Sequence, residues 1–185
     1  MKPEDLRITI EATPNPLSAK YTVNYPLLKS GGFDFPTVEE ARGSFLPERL
    51  FQLDWVRGVY VGANFVTVTK SHEADWNEVA PEAVKVIGTS LLSGEPLVRE
   101  AQEESRVAAQ DPIEAKIRSI LDEEIRPAVA MDGGDITFIG YKDGIVTLNL
   151  RGACSSCPSS IVTLRMGVEQ RLRQEVPEIK EVVHV

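Results

Sequence analysis

The only two cysteines of this 185-residue chain, Cys154 and Cys157, stand three positions apart in Arg151-Gly-Ala-Cys-Ser-Ser-Cys-Pro158. A disulfide between them would close too short a loop to remove much unfolded-state entropy, so it would not staple a fold. In a reducing compartment, metal or redox chemistry is the better use of such a pair. Closed zinc sites and iron–sulfur clusters usually take four protein ligands, and two thiolates supply half of that shell. The shortage points to a site completed by a second copy of the chain.

The length suits two small domains, each near the lower end of independent stability. No run of about 18 apolar residues exists, so no membrane-spanning helix is expected. The opening stretch Met1-Lys-Pro-Glu-Asp-Leu-Arg-Ile8 lacks a signal-peptide core and carries acids that a presequence avoids, so a cytoplasmic location is expected. A formal charge of −8 argues against nucleic acid as a partner, because phosphate binding relies on clustered Lys and Arg.

Two α+β pieces can be read along the chain. Residues 7–12 and 20–25 alternate with period two on either side of Thr13-Pro-Asn-Pro16, which predicts two strands joined through a proline turn. Beyond the Gly31-Gly32 loop, Ser44 can cap a short helix with Pro47 in its first turn. Residues 59–61 and 65–69 flank Gly62-Ala-Asn64 as a hairpin. A helix over 75–92 carries Trp76, Val79, Ala80, Ala83, Ile87 and Leu91 on one stripe. Residues 99–110 are polar without a sustained apolar face and read as an interdomain linker, which divides the chain into domains 1–98 and 111–185.

The second piece opens on Asp111-Pro112-Ile-Glu114, which combines an N-cap acid, Pro at N1 and Glu at N3. Ile113, Ile117, Ile120, Leu121, Ile125 and Ala128 give that helix a buried face. Met131-Asp-Gly-Gly-Asp135 ends it, since paired glycines accept the positive φ of a helix-to-strand turn. Strands over 135–141 and 145–151 flank Lys142-Asp-Gly144, a strong hairpin signal. A helix from 158 to 175 with Ile161, Leu164, Val168 and Leu172 inward precedes a last strand over 178–185. The expected fold class is therefore α+β in two small domains. The C-terminal one runs α-β-β-α-β, with the Cys-x-x-Cys loop between its second strand and second helix.

Pro158 suits the first helical position, which makes Cys157 the N-cap. A helix start favours thiolate over thiol through its unsatisfied N–H groups and partial positive charge. Ser155, Ser156, Ser159 and Ser160 offer small hydroxyl donors around the sulfurs. A thioredoxin-like arrangement is disfavoured, because Pro158 follows both cysteines and only one helix and one strand remain. Asp132 and Asp135 read as turn-capping acids, His72 and His184 as surface residues, and Trp55 and Trp76 as packing groups. No Ser-His-Asp set, phosphate loop or dinucleotide fingerprint is present, and no enzyme active site is expected.

Pro127 with Met131-Asp-Gly-Gly-Asp135, then Arg151-Gly-Ala-Cys-Ser-Ser-Cys-Pro-Ser-Ser160, resembles the NifU-like (Nfu) C-terminal domain. Thr13-Pro-Asn-Pro16 and Phe65-Val-Thr-Val-Thr-Lys70 resemble matching places of the Nfu N-terminal domain. Where many members carry Gly between the cysteines, this chain has Ser156, a change that leaves the spacing intact. The resemblance implies a carrier that binds a 4Fe-4S cluster, with a 2Fe-2S form as an alternative, on Cys154 and Cys157 of a homodimer. It also implies exchange with upstream cluster assembly proteins and apo-protein clients. Two other uses of the same thiolates stay open at this point: a structural zinc-thiolate dimer and a dithiol-disulfide oxidoreductase.

Overall fold

The computed structural model describes residues 5–29, 31–99, 111–155 and 158–185, with side chains throughout except at 158–160. The chain divides into two compact units, Met1–Gln102 and Glu103–Val185. Of the expected linker, all but Arg99 lies outside the described residues.

The first unit is a five-stranded antiparallel sheet in the order β1-β2-β5-β4-β3 with two helices. The elements are β1 (Ile8–Ala12), β2 (Ser18–Val23), β3 (Phe33–Phe35), α1 (Phe45–Leu50), β4 (Val56–Val61), β5 (Phe65–Lys70) and α2 (Trp76–Ser93). Both expected hairpins are present, β1 with β2 across the proline turn and β4 with β5 across residues 62–64. The proline turn is locked from within: Thr13 Oγ1 donates at about the same distance to two carbonyls, those of Asn15 (2.9 Å) and Ser18 (3.0 Å). Trp76 Nε1 donates to the Pro16 carbonyl (3.0 Å) and pins the turn to the start of α2. Trp55 meets Trp76 edge to face, with ring centroids 6.1 Å apart, so both tryptophans pack as expected.

Two features of this unit escaped the sequence reading. Residues 33–35 form a short edge strand, held in register by Phe33 opposite Val61. Ser44 stands at the N-cap of α1 but makes no capping bond; its Oγ accepts instead from Arg99 N–H (3.1 Å) and holds the end of the unit against the core. On α2, Ala80, Ala83 and Ile87 are buried as the stripe predicts. Ser90 is buried beside them because its hydroxyl takes a hydrogen bond from Arg49.

The second unit is a three-stranded sheet in the order β6-β7-β8. Its elements are α3 (Pro112–Ile120), a π-helical turn (Leu121–Ile125), α4 (Arg126–Met131), β6 (Gly134–Lys142), β7 (Ile145–Gly152), α5 (Pro158–Glu175) and β8 (Glu181–His184). Asp111 caps α3 through Ile113 N–H (2.8 Å), with Pro112 behind it, as the start signals dictate. β6 and β7 pair antiparallel around Asp143 (φ 54°) and Gly144 (φ 90°), two successive left-handed residues whose twist matches the strands. β8 returns parallel to β7 after the α5 crossover. Ile136, Val146, Leu148, Leu150 and Val182 on the sheet meet Ile117, Leu121, Val129, Val168 and Leu172 from the helices.

The first helix departs from the uniform pattern that its apolar spacing predicts. Pro127 lacks an N–H, and its ring would strike the carbonyl four residues back in a continuous α-helix. The chain answers with a wider turn in which Arg126 N–H reaches the Leu121 carbonyl, five residues back. The added residue shifts the phase of the buried face, so Val129 is buried where Ala128 was expected.

Arg171 of α5 clamps this widened turn. Its Nε and Nη2 donate to the two Glu124 carboxylate oxygens (2.7 and 2.8 Å), and Nη1 reaches Glu175 (3.1 Å). Hydrogen bonding to Arg171 is the main reason both carboxyls titrate below 4.5. Such depressed carboxyls stabilise the fold above their unfolded value, and the contribution is lost as pH falls through the lower folded values. The chain is therefore expected to melt a few degrees lower at about pH 3 than at about pH 5.5, with a smaller drop in Arg171→Gln and in high salt, because the pairs are exposed. Thermal denaturation at the two pH values checks this. Equal pH dependence in wild type and variant would refute it.

Candidate metal centre

β7 ends on Gly152, whose left-handed φ of 64° turns the chain sharply off the sheet. Gly152 stands opposite Gly134 in the β6–β7 register, so the loop leaves the sheet where both strands carry glycine. Ala153 N–H then donates to the Gly133 carbonyl (3.1 Å), which ties the loop to the turn between α4 and β6. Ser155 folds back: its N–H and its Oγ both donate to the Gly152 carbonyl (3.2 and 2.9 Å). The hydroxyl expected to face the sulfurs is thus spent on the backbone.

Cys154 follows β7 and is 6 % exposed, packed at the edge of the apolar core. Its Sγ lies so close to Gly134 that a β-carbon there would stand 2.5 Å from the sulfur and 3.0 Å from the Arg151 carbonyl oxygen. Gly134 is therefore part of the site. The sequence reading assigned the glycine pair to backbone freedom, which Gly133 uses at φ 76°; Gly134 answers to the close approach of the sulfur. A spacing signal for Gly134 did exist in the glycine opposite it at 152.

Cys157, the expected N-cap, lies outside the described residues with Ser156, as do the side chains of Ser159 and Ser160. Asp132 follows the last turn of α4, as expected of an acid near a turn. Asp135 does not cap that turn. It is on β6, 5 % exposed, and accepts two parallel hydrogen bonds from Arg126, Nε to Oδ1 (2.9 Å) and Nη2 to Oδ2 (3.1 Å). Arg126 Nη1 also meets Asp122 (2.9 Å), and these bonds, that to Asp135 foremost, raise the guanidinium pKa. The arrangement ties the π-helical turn and α4 to the first residues of β6, next to the sulfur's seat.

Among the described residues no group of three or more His, Cys, Asp or Glu side chains is placed to hold a metal ion. His72 and His184 are exposed, as expected of surface residues. Thiolate is the softest donor this chain owns, and soft donors select zinc, cuprous ions and iron–sulfur clusters over hard cations. A neighbouring residue without a side chain, and no third ligand among the described residues, make a seat for a sulfur there. Among the described residues no helix is long and apolar enough to cross a membrane.

The chain is similar to known proteins. Residues 117–183 match the family described as NifU-like domain, and residues 8–94 match the family described as scaffold protein Nfu/NifU N terminal. The chain is 41 % identical over 181 residues to the NFU1 iron–sulfur cluster scaffold homolog, mitochondrial, of Homo sapiens, covering 96 % of this chain and 71 % of that protein. It is 41 % identical over 182 residues to the protein of the same name from Drosophila erecta, covering 96 % of this chain and 64 % of that one. A solution structure of a NifU-like protein from Saccharomyces cerevisiae superposes with a TM-score of 0.47 at 23 % identity, over 52 % of this chain and 87 % of that one. Both sequence relatives carry mitochondrial names, which overturns the cytoplasmic location expected above. That expectation rested on the composition of eight residues alone.

Proposed function

The chain belongs to the family of Nfu and NifU-like iron–sulfur cluster scaffolds, and from that premise we propose that it binds a 4Fe-4S cluster as cargo on Cys154 and Cys157 of two copies and passes it to apo-proteins. The observation that carries this reading is a ligand-poor sulfur seat: Cys154 set against a residue with no side chain, with no third ligand among the described residues. Two such loops supply four thiolates, the usual complement of a cluster. A site split between two copies also suits delivery, since separating the copies exposes the cargo and an incoming thiolate can replace one cysteine at a time. This is a carrier's work, with no substrate turned over.

The division at 98 and 111 gives the halves separate tasks in this reading. The cysteine-free unit recognises partners or regulates its neighbour, and the C-terminal unit carries the cluster. Anaerobic reconstitution with iron and sulfide, read together with mass in solution, tests the proposal. About two irons and two sulfides per chain in a dimer is the expected result, and about one of each would mark the 2Fe-2S form. Cys154→Ser and Cys157→Ser are each expected to abolish uptake. A cluster retained on a monomer, or uptake unchanged by both substitutions, would refute the reading.

A further inference from the structure

We propose that the free edge of β6 at Phe138, beside the Arg118 guanidinium, docks an extended acidic segment of a partner protein. This adds a partner contact to the unit that carries Cys154.

β6 and β8 are the outer strands of the three-stranded sheet, and an outer strand offers its backbone groups to another strand unless something covers them. On β8, Val182 N–H is covered by the Glu169 carboxylate of α5 (3.0 Å). On β6, Ile136 N–H donates to the Asp135 carboxylate (2.8 Å), which marks 136 as a position whose backbone faces away from β7. Such positions alternate along an antiparallel strand, and the β6–β7 register is unbroken from Gly134 to Phe138, so the Phe138 backbone faces outward as well. It has no side-chain cap among the described residues. Just beyond, the register slips between Phe138 and Gly140, which leaves Ile139 without a residue opposite and 53 % exposed.

The Arg118 guanidinium of α3 stands over the Phe138 ring, its carbon 4.4 Å from the ring centre. Arg126, Arg171 and Arg173 each grip a carboxylate. Arg118 grips none among the described residues: Asp122, one turn on, is taken by Arg126, no ion pair joins it to Glu114 one turn back, and its Nε is buried without a hydrogen-bond partner. A guanidinium already held on a ring loses little freedom on meeting a carboxylate and can bind both of its oxygens. Charge complementarity thus names the occupant: backbone pairing at Phe138 holds an extended segment, and Arg118 selects Asp or Glu within it. Four residues of strand separate Phe138 from Gly134, the neighbour of Cys154 Sγ, or about 13 Å at roughly 3.3 Å per residue. A segment running along β6 therefore brings residues a few positions from its acid toward Cys154. This use rests on the carrier reading above, in which a client thiolate placed there takes over a ligand position.

The test uses the cluster-free full chain and, as probe, a short fluorescent peptide of alternating Val and Glu with blocked ends, read by fluorescence anisotropy and amide hydrogen exchange. Wild type is expected to bind it with a Kd below about 1 mM, to lose affinity in high salt and to exchange more slowly at the Phe138 amide. Arg118→Gln is expected to weaken binding about tenfold and Arg118→Lys less, while the control Lys85→Gln, an exposed cation of the other unit, leaves it unchanged. A peptide of alternating Val and Gln is expected to bind wild type as weakly as the acidic peptide binds Arg118→Gln. Should Arg118→Gln unfold the chain, Ile139→Glu, at an exposed position, carries the same test by repelling the acidic peptide. Equal affinity for the two peptides, unchanged binding in a folded Arg118→Gln, or no binding by wild type would overturn the docking edge. Because no cluster takes part, such a failure leaves the carrier reading intact, and a failure of cluster loading leaves the edge standing.

Discussion

Gly134→Ala is expected to lower iron and sulfide uptake in reconstitution by about 10-fold, the usual scale for a group that orients a metal ligand, and Gly134→Val to lower it further. The reason is room. A methyl at this position would stand 2.5 Å from Cys154 Sγ, 3.0 Å from the Arg151 carbonyl oxygen and 3.1 Å from Cys154 Cβ. Of these, the carbonyl belongs to the strand ladder and cannot retreat without parting β6 from β7. The sulfur must therefore move, and with it the ligand geometry. Overpacking of this kind typically costs about 1–3 kcal/mol of stability, so the unit should melt lower as well. Gly133→Ala gives a reference for the melting loss: at φ 76° it suffers backbone strain of about 1–2 kcal/mol. Comparable melting losses with loading impaired only at position 134 would support the sulfur seat. Normal loading of Gly134→Ala would remove Gly134 from the site.

Much of the second unit was legible because its signals are local. Asp111-Pro112 announces a helix through groups two residues apart, and Asp143-Gly144 announces a hairpin through two adjacent left-handed residues. Cys154 stood out as a candidate ligand because Cys157 is the one other cysteine in the sequence. What stayed hidden depends on neighbours distant in sequence or on a small change of phase. Pro127 was visible, yet its remedy, one added residue in a π turn, moves the buried position from Ala128 to Val129 and follows only from the helix geometry. Gly134 and Cys154 are twenty positions apart, and no periodicity states that one must be bare for the other to fit. Ser44 looked like a cap because capping is the local use of serine, but a partner 55 residues away claimed its oxygen. Asp135 looked like a turn residue for the same reason, and its partner Arg126 lies across the turn on α4.

That partner supplies the second large effect. Arg126→Met is expected to destabilise the C-terminal unit by about 2–3 kcal/mol, at and just below the roughly 3–5 kcal/mol that breaking a fully buried ion pair costs, because it strands the Asp135 carboxylate while the guanidinium itself is a quarter exposed. For a unit of this size that is a melting decrease on the order of 10–20 °C. Arg126→Lys should fall between the two, since an ammonium keeps the charge but cannot span both carboxylate oxygens and Asp122 together. The double variant Arg126→Met with Asp135→Leu removes both charges and should recover much of the loss, which no account based on Arg126 packing alone requires. Cluster loading should follow a different order. The salt bridge fixes where β6 begins, one residue from the seat of Cys154, so a chain restored in stability by Asp135→Leu still has a less tightly held Gly134 and should load more slowly than wild type. Melting curves and loading rates of the four proteins decide the matter, and a double variant as unstable as Arg126→Met would show that the pair is not what holds this corner.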